Sequence, residues 1–214
     1  RDLSVSSGLG DVYKRQDKGN GRSEVFLKGS AVKNLSLILR NGDIIEELRD
    51  EVQSFNYDLT IIGGSGKRSM AHDLVQYIDS SIFVVNNFNR KQTYRILLAV
   101  DDSEGNKKAV KFAVRVAQAF NIEVDIVSIS DEKRVSEKFH SYSHRAEKMM
   151  RRTGVKSKVR FVKGDLVDTL LDVAGNNHII VMGNSSQSPL SKFFLGSKPL
   201  AVMESCNCPM VIVK

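Results

Sequence analysis

Ile96-Leu97-Leu98-Ala99-Val100-Asp101-Asp102-Ser103-Glu104 reads as a strand running into a helix. Five consecutive apolar residues, with no polar alternation, suit a parallel strand covered on both faces. The acidic and hydroxyl residues that follow supply helix-start chemistry. Ala109, Val110, Phe112, Ala113, Val116, Ala117 and Phe120 then recur at helical spacing on one face.

The pattern continues toward the C-terminal side. Val124 to Ile129 reads as a second strand, followed by a basic helix with Val135, Phe139, Tyr142, Ala146, Met149 and Met150 at steps of three and four, stopping at Gly154. Val159 to Val162, His178 to Met182 and Met210 to Val213 read as three further strands. Helices are expected over Asp165 to Ala174 and Ser197 to Ser205, with Pro199 tolerated in the first turn of the latter. This βαβαβαβαβ order predicts an α/β fold: an open, parallel, five-stranded sheet, doubly wound and Rossmann-like, with right-handed crossovers.

Toward the N-terminal side the chain repeats itself. Arg40-Asn41-Gly42-Asp43-Ile44-Ile45-Glu46-Glu47-Leu48 echoes Val162-Lys163-Gly164-Asp165-Leu166-Val167-Asp168-Thr169-Leu170. Asp58 to Gly63 matches the region Ile179 to Gly183, and Ser81 to Val85 matches Pro209 to Val213. Residues 17–92 therefore read as a truncated first copy of the domain at 93–214, joined to it by the polar stretch Asn86 to Thr93. A parallel sheet without its central strand leaves apolar edges unpaired, so the first copy is expected to fold poorly alone. Gly8 to Gln16, GLGDVYKRQ, is also the translation of a transposon adapter used in sequencing libraries, and residues 1–16 are set aside as an adapter-derived segment.

Composition narrows the function little. The 214 residues are 41% hydrophobic and 27% charged, with a net charge of +7. The basic residues are read as a solvated surface interspersed with acidic ones, so no nucleic-acid partner is expected. No run of about 18 apolar residues occurs, and a cytoplasmic location is the default expectation. Cys206 and Cys208, one residue apart, read as a reduced pair beside the last strand.

Met182-Gly183-Asn184-Ser185-Ser186, followed by Gly196-Ser197, carries the functional signal. A glycine after a buried strand permits close approach of a ligand, and Gly196-Ser197 opens a helix whose free N–H groups favour phosphate. The same residues read equally well as an ordinary strand-to-helix turn. Asp101 suits hydrogen bonding to sugar hydroxyls, or helix capping shared with Asp102 and Ser103. His140 and His144 have a chelating spacing, but no glutamate or third ligand is evident beside them, and His178 reads as structural. Gly66-Lys67 lacks the spacing of a Walker loop.

Over residues 94–214 the chain resembles the universal stress protein family. That family carries glycine, two residues, glycine, nine residues, then glycine and serine or threonine; Gly183, Gly196 and Ser197 keep this spacing, and Ser186 replaces the middle glycine. The resemblance implies a nucleotide site in which Asp101 contacts the nucleoside, Ile129 the adenine and Met182 the base or ribose. Ser186, Gly196, Ser197 and Lys198 would lie by the phosphates. It implies ATP, accompanied by Mg or Mn, bound for signalling in stress adaptation. No catalytic residues are identified, so ATP turnover would be slow and incidental. The first copy lacks the nine-residue loop after Gly63-Gly64-Ser65-Gly66 and is expected to bind no nucleotide. The alternative is a non-binding dimerisation or regulatory module. Its last strands, Met210 to Val213 and Ile82 to Val85, would pair as an intramolecular pseudo-dimer or in a homodimer. Paired domains of this kind also resemble the cytoplasmic tails of some cation/proton antiporters.

Overall fold

The computed structural model describes residues 12–17, 23–27, 36–63, 68–89, 91–101, 103–130, 137–184 and 197–214. The chain divides into two compact units, Arg1–Glu51 and Val52–Lys214. The smaller holds a three-stranded antiparallel sheet of β1 (Val12–Asp17), β2 (Ser23–Leu27) and β3 (Ser36–Leu39). Helix α1 (Ile44–Phe55) crosses the boundary.

The larger unit is a seven-stranded sheet in the order β4-β5-β10-β9-β6-β7-β8. Its strands are β4 (Leu59–Gly63), β5 (Ser81–Val85), β6 (Arg95–Ala99), β7 (Val124–Ser130), β8 (Ser157–Lys163), β9 (His178–Gly183) and β10 (Met210–Val213). The five strands predicted from β6 onward run parallel to one another in one sheet. Two strands from the earlier chain extend it. β4 and β5 run parallel to each other, and β5 meets β10 antiparallel, pairing Ile82 with Ile212 and Val84 with Met210.

The apolar run Ile96 to Val100 sits inside the sheet, with β6 between β9 and β7. Ile96, Leu97 and Leu98 are at most 1% exposed, and burying side chains of this size contributes about 1.5–3 kcal/mol each. One face of the sheet is covered by α3 (Glu104–Phe120) and α4 (Glu137–Arg152), the other by α5 (Leu166–Ala174) and α6 (Ser197–Ser205). The packed stripe of α3 is Ala109, Val110, Ala113, Val114 and Ala117. It ends a turn before the helix does, leaving Phe120, read from the spacing as core-facing, 73% exposed.

The two segments matched by the sequence repeat also fold alike locally. Gly42 and Gly164 both have positive φ, 156° and 149°. The aspartate after each caps a helix: Asp43 Oδ1 accepts from the N–H groups of Ile45 and Glu46, and Asp165 Oδ1 from those of Val167 and Asp168. The connection before β6 is held by Phe88 stacked on Tyr94, with ring centroids 5.0 Å apart. Helix α2 (Arg68–Tyr77) links β4 and β5.

Candidate functional site

The chain leaves β6 for β7 and β8 on one side and returns as β9 and β10 on the other. The boundary between β6 and β9 is thus a topological switch point, where ligands of open α/β sheets bind beyond the carboxyl ends of the strands. Asp101, Ile129, Met182 and Gly183 all come from these carboxyl ends. Met182 is 7% exposed and belongs to the core, whereas Ile129 is half-buried. Lys198 is exposed in the first turn of α6, and Ser197 begins that helix. Ser186 and Gly196 lie outside the described residues.

Asp101 shapes the turn after β6. Its Oδ1 accepts from the backbone N–H of Ser103 at 3.0 Å and from the Ser103 hydroxyl at 2.6 Å. This is an Asx turn, which differs from the expected helix cap: Ser103 is the N-cap of α3, and its side chain makes no capping bond. Among the described residues, Asp101 Oδ2 accepts no hydrogen bond. The Asn106 amide donates to the Asp101 carbonyl at 2.8 Å.

Gly183 lies against the first turn of α3. A Cβ built there would lie 2.3 Å from both the carbonyl carbon and oxygen of Gly105. Conversely, a Cβ on Gly105 would lie 2.0 Å from the carbonyl oxygen of Asn184. The first turn of α3 therefore lies backbone to backbone on the end of β9. Gly183 is absent from the positive-φ positions, so its glycine is required for space rather than for backbone angle.

Two acceptors at this contact were not anticipated. Asn106 Oδ1 and Asn184 Oδ1 are buried and lack a hydrogen-bond partner among the described residues. A buried amide oxygen left unpaired costs about 1–3 kcal/mol. Asp101, Asn106 and Asn184 all lie where the first turn of α3 meets the ends of β6 and β9. Asn184 stood inside the quoted motif, but nothing in its spacing distinguished it.

The amino ends of the same strands are built differently. Asp125, 2% exposed, accepts from Arg95 Nη2 at 2.8 Å and Nε at 3.1 Å, and lies 3.0 Å from His178 Nε2. Arg95 also donates to Glu123 at 2.5 Å, and His178 Nδ1 lies 2.7 Å from the Ala174 carbonyl. Burial by itself would raise the Asp125 carboxyl, but the hydrogen bonds from Arg95 and His178 and the charges of Arg95 and Arg160 hold it below its ordinary value. The Arg95 guanidinium is raised, chiefly by its hydrogen bond to Asp125. His178 thus has the structural place that the sequence suggested.

His140 and His144 flank Phe161, with ring centroids at 4.3 and 6.1 Å. A carboxylate does stand nearby, since Glu147 Oε2 is 3.4 Å from His144 Nδ1. Still, no group of three His, Cys, Asp or Glu side chains able to hold a metal occurs among the described residues. No helix among them is long and apolar enough to cross a membrane.

The model of the universal stress protein family matches residues 93–214. A universal stress protein of Methanocaldococcus jannaschii is 23% identical over 153 residues, covering 62% of this chain and 90% of its own. One from Helicobacter pylori is 26% identical over 136 residues, covering 56% and 98%. Among solved structures, a universal stress protein from Archaeoglobus fulgidus matches with a TM-score of 0.63 and 15% identity, over 88% of this chain and 70% of its own. A putative universal stress protein from Pseudomonas aeruginosa matches with a TM-score of 0.62 and 13% identity, over 81% and 69%. These structural likenesses carry the fold.

Proposed function

The chain belongs to the universal stress protein family, and we propose that its second domain, residues 93–214, binds an adenine nucleotide at the carboxyl ends of β6, β7 and β9 as a signalling module in stress adaptation. The observation that carries this reading is the group of acceptors at the switch point: among the described residues, Asp101 Oδ2 accepts no hydrogen bond and the buried side-chain oxygens of Asn106 and Asn184 have no partner. Ribose hydroxyls are donors of the kind these groups lack. Half-buried Ile129 offers an apolar surface for the base, and the N-terminus of α6 offers N–H groups to phosphate. A divalent cation, Mg or Mn, would arrive with the phosphates, because the described residues supply no metal site of their own.

Binding rather than turnover is the proposed activity, consistent with a site of amides, one carboxylate and backbone groups. Equilibrium binding of labelled ATP to the full chain tests it. Saturable binding, abolished or strongly weakened by Asp101→Ala, is expected. A folded protein showing no saturable binding at millimolar ATP would remove the nucleotide claim and leave the fold untouched.

A second reading rests on the antiparallel pairing of β5 with β10. These strands are equivalents in the sequence repeat, and each is parallel to the strand on its other side. Residues 17–92 would then be half of a sister domain, joined to the second as an intramolecular pseudo-dimer. In support, β9 has β6 beside it, whereas its repeat equivalent β4 is the sheet edge, with Ile61 62% exposed. Solution scattering that finds a monomer with β5 and β10 crosslinkable within one chain agrees with this reading; crosslinks solely between chains would argue for a homodimer.

A further inference from the structure

Between the end of α6 and the start of β10 lie the chain's two cysteines, Cys206 and Cys208. Both are buried, at 4% and 6% exposure, and both are free thiols. Their sulfurs stand 2.8 Å apart, about 0.75 Å more than the roughly 2.05 Å of a disulfide bond. The loop holds Cys206 from both sides: the Cys208 backbone N–H donates to Cys206 Sγ at 3.3 Å, and the Cys206 thiol donates to the Cys208 carbonyl at 3.2 Å. The Cys206 thiol is lowered, first by the Cys208 side chain hydrogen-bonded to it, while the same contact and burial raise Cys208. Cys206 is thus the more acidic thiol of the pair, and Cys208 the less acidic.

We propose that Cys206 and Cys208 form a dithiol redox site, oxidised by small hydroperoxides to a disulfide that closes the Cys206-Asn207-Cys208 loop. The Cys206 thiolate attacks one oxygen of hydrogen peroxide. The O–O bond breaks, the sulfur becomes a sulfenic acid, and the other oxygen leaves as hydroxide and takes up a proton to become water. The Cys208 sulfur then attacks the Cys206 sulfur, the S–O bond breaks, and a second water leaves with the Cys208 proton. Two thiols and one peroxide give one disulfide and two waters, with both electrons passing from the sulfurs to the peroxide oxygens. Burial selects an oxidant of about the size of water.

The site is coupled to the strand seam. The Asn86 amide, just after β5, donates to the Cys206 carbonyl at 3.2 Å, and β10 begins two residues beyond Cys208. Drawing the sulfurs together pulls on the turn that sets β10 between β5 and β9.

Peroxide titration of the full chain, read by intact mass and by thiol counting in denaturant, tests the site. Both thiols should disappear together, with loss of the mass of two hydrogens, no dimer, and recovery by dithiothreitol. Cys208→Ser should stop at a sulfenic acid on Cys206 that a cyclic diketone traps, and Cys206→Ser should resist oxidation. Survival of both thiols, over-oxidation of a single cysteine in the unsubstituted chain, or the reverse order of reactivity in the two variants would overturn the proposal.

Discussion

The two ends of the parallel strands β6, β7 and β9 treat their polar groups in opposite ways. At the amino ends, Arg95, Glu123, Asp125 and His178 satisfy one another, and the buried Asp125 carboxylate has partners on both oxygens. At the carboxyl ends, among the described residues, Asp101 Oδ2 accepts no hydrogen bond, and the buried side-chain oxygens of Asn106 and Asn184 have no partner. A group whose hydrogen bonds are complete within the fold has little left to offer a ligand. An unpaired acceptor at a switch point does. The difference separates a residue that looks functional because it is charged and buried, Asp125, from residues that look unremarkable and whose acceptors have no partner among the described residues.

The largest effect should come from breaking the paired end. Asp125→Ala leaves Arg95 and His178 without their shared carboxylate, and removing one partner of a buried pair costs about 3–5 kcal/mol. Urea denaturation should show that loss, while ATP affinity of the folded fraction stays unchanged; lost affinity at full stability would reverse the assignment of the two ends. Next comes Gly183→Ala. The new methyl group would meet Gly105 backbone at 2.3 Å, and overpacking of this kind costs about 1–3 kcal/mol. A melting temperature equal to that of the parent chain would show that α3 does not rest on β9.

Asp101→Asn should act the other way. The amide oxygen can preserve the turn to Ser103, so stability should move by no more than about 0.5 kcal/mol. Loss of the open anionic acceptor should weaken ATP about tenfold, or about 1.4 kcal/mol, a change that calorimetric titration resolves. The gentlest perturbation is acid. Asp125 is held below its unfolded value, so the folded state binds fewer protons there than the unfolded chain. The stability it contributes is fully present above its unfolded value of about 3.9, and is lost as pH falls through the folded value. Denaturation midpoints in Asp125→Asn should be less sensitive to pH in this acid range; parallel profiles would place the acid sensitivity elsewhere.

Much of the architecture could be read from local pattern. The apolar run at Ile96 to Val100 and the helical spacing after it describe β6 and α3 closely, because a strand buried on both faces and a helix buried on one write their environments into consecutive residues. The repeat also suggested which strands could meet as β5 and β10 do. The site was legible only in outline. Asp101 and Gly183 are singled out by the family resemblance and by their places after strands, but the space around Gly183 depends on Gly105, which sits in the first turn of a helix and advertises nothing. The Asp125 network joins residues 30 and 53 positions apart, and Asp125 itself interrupts an otherwise apolar strand without a local sign of its partners. The phosphate-side expectation on Ser186 and Gly196 falls outside the described residues.

The direct test of the contrast is an amide NMR titration of the full chain with ATP and magnesium. Saturable shifts should appear at Asp101, Asn106, Gly183 and Asn184, while Arg95, Asp125 and His178 stay still. Shifts confined to the amino ends of the strands, or none at millimolar ATP in a well-dispersed spectrum, would contradict the account.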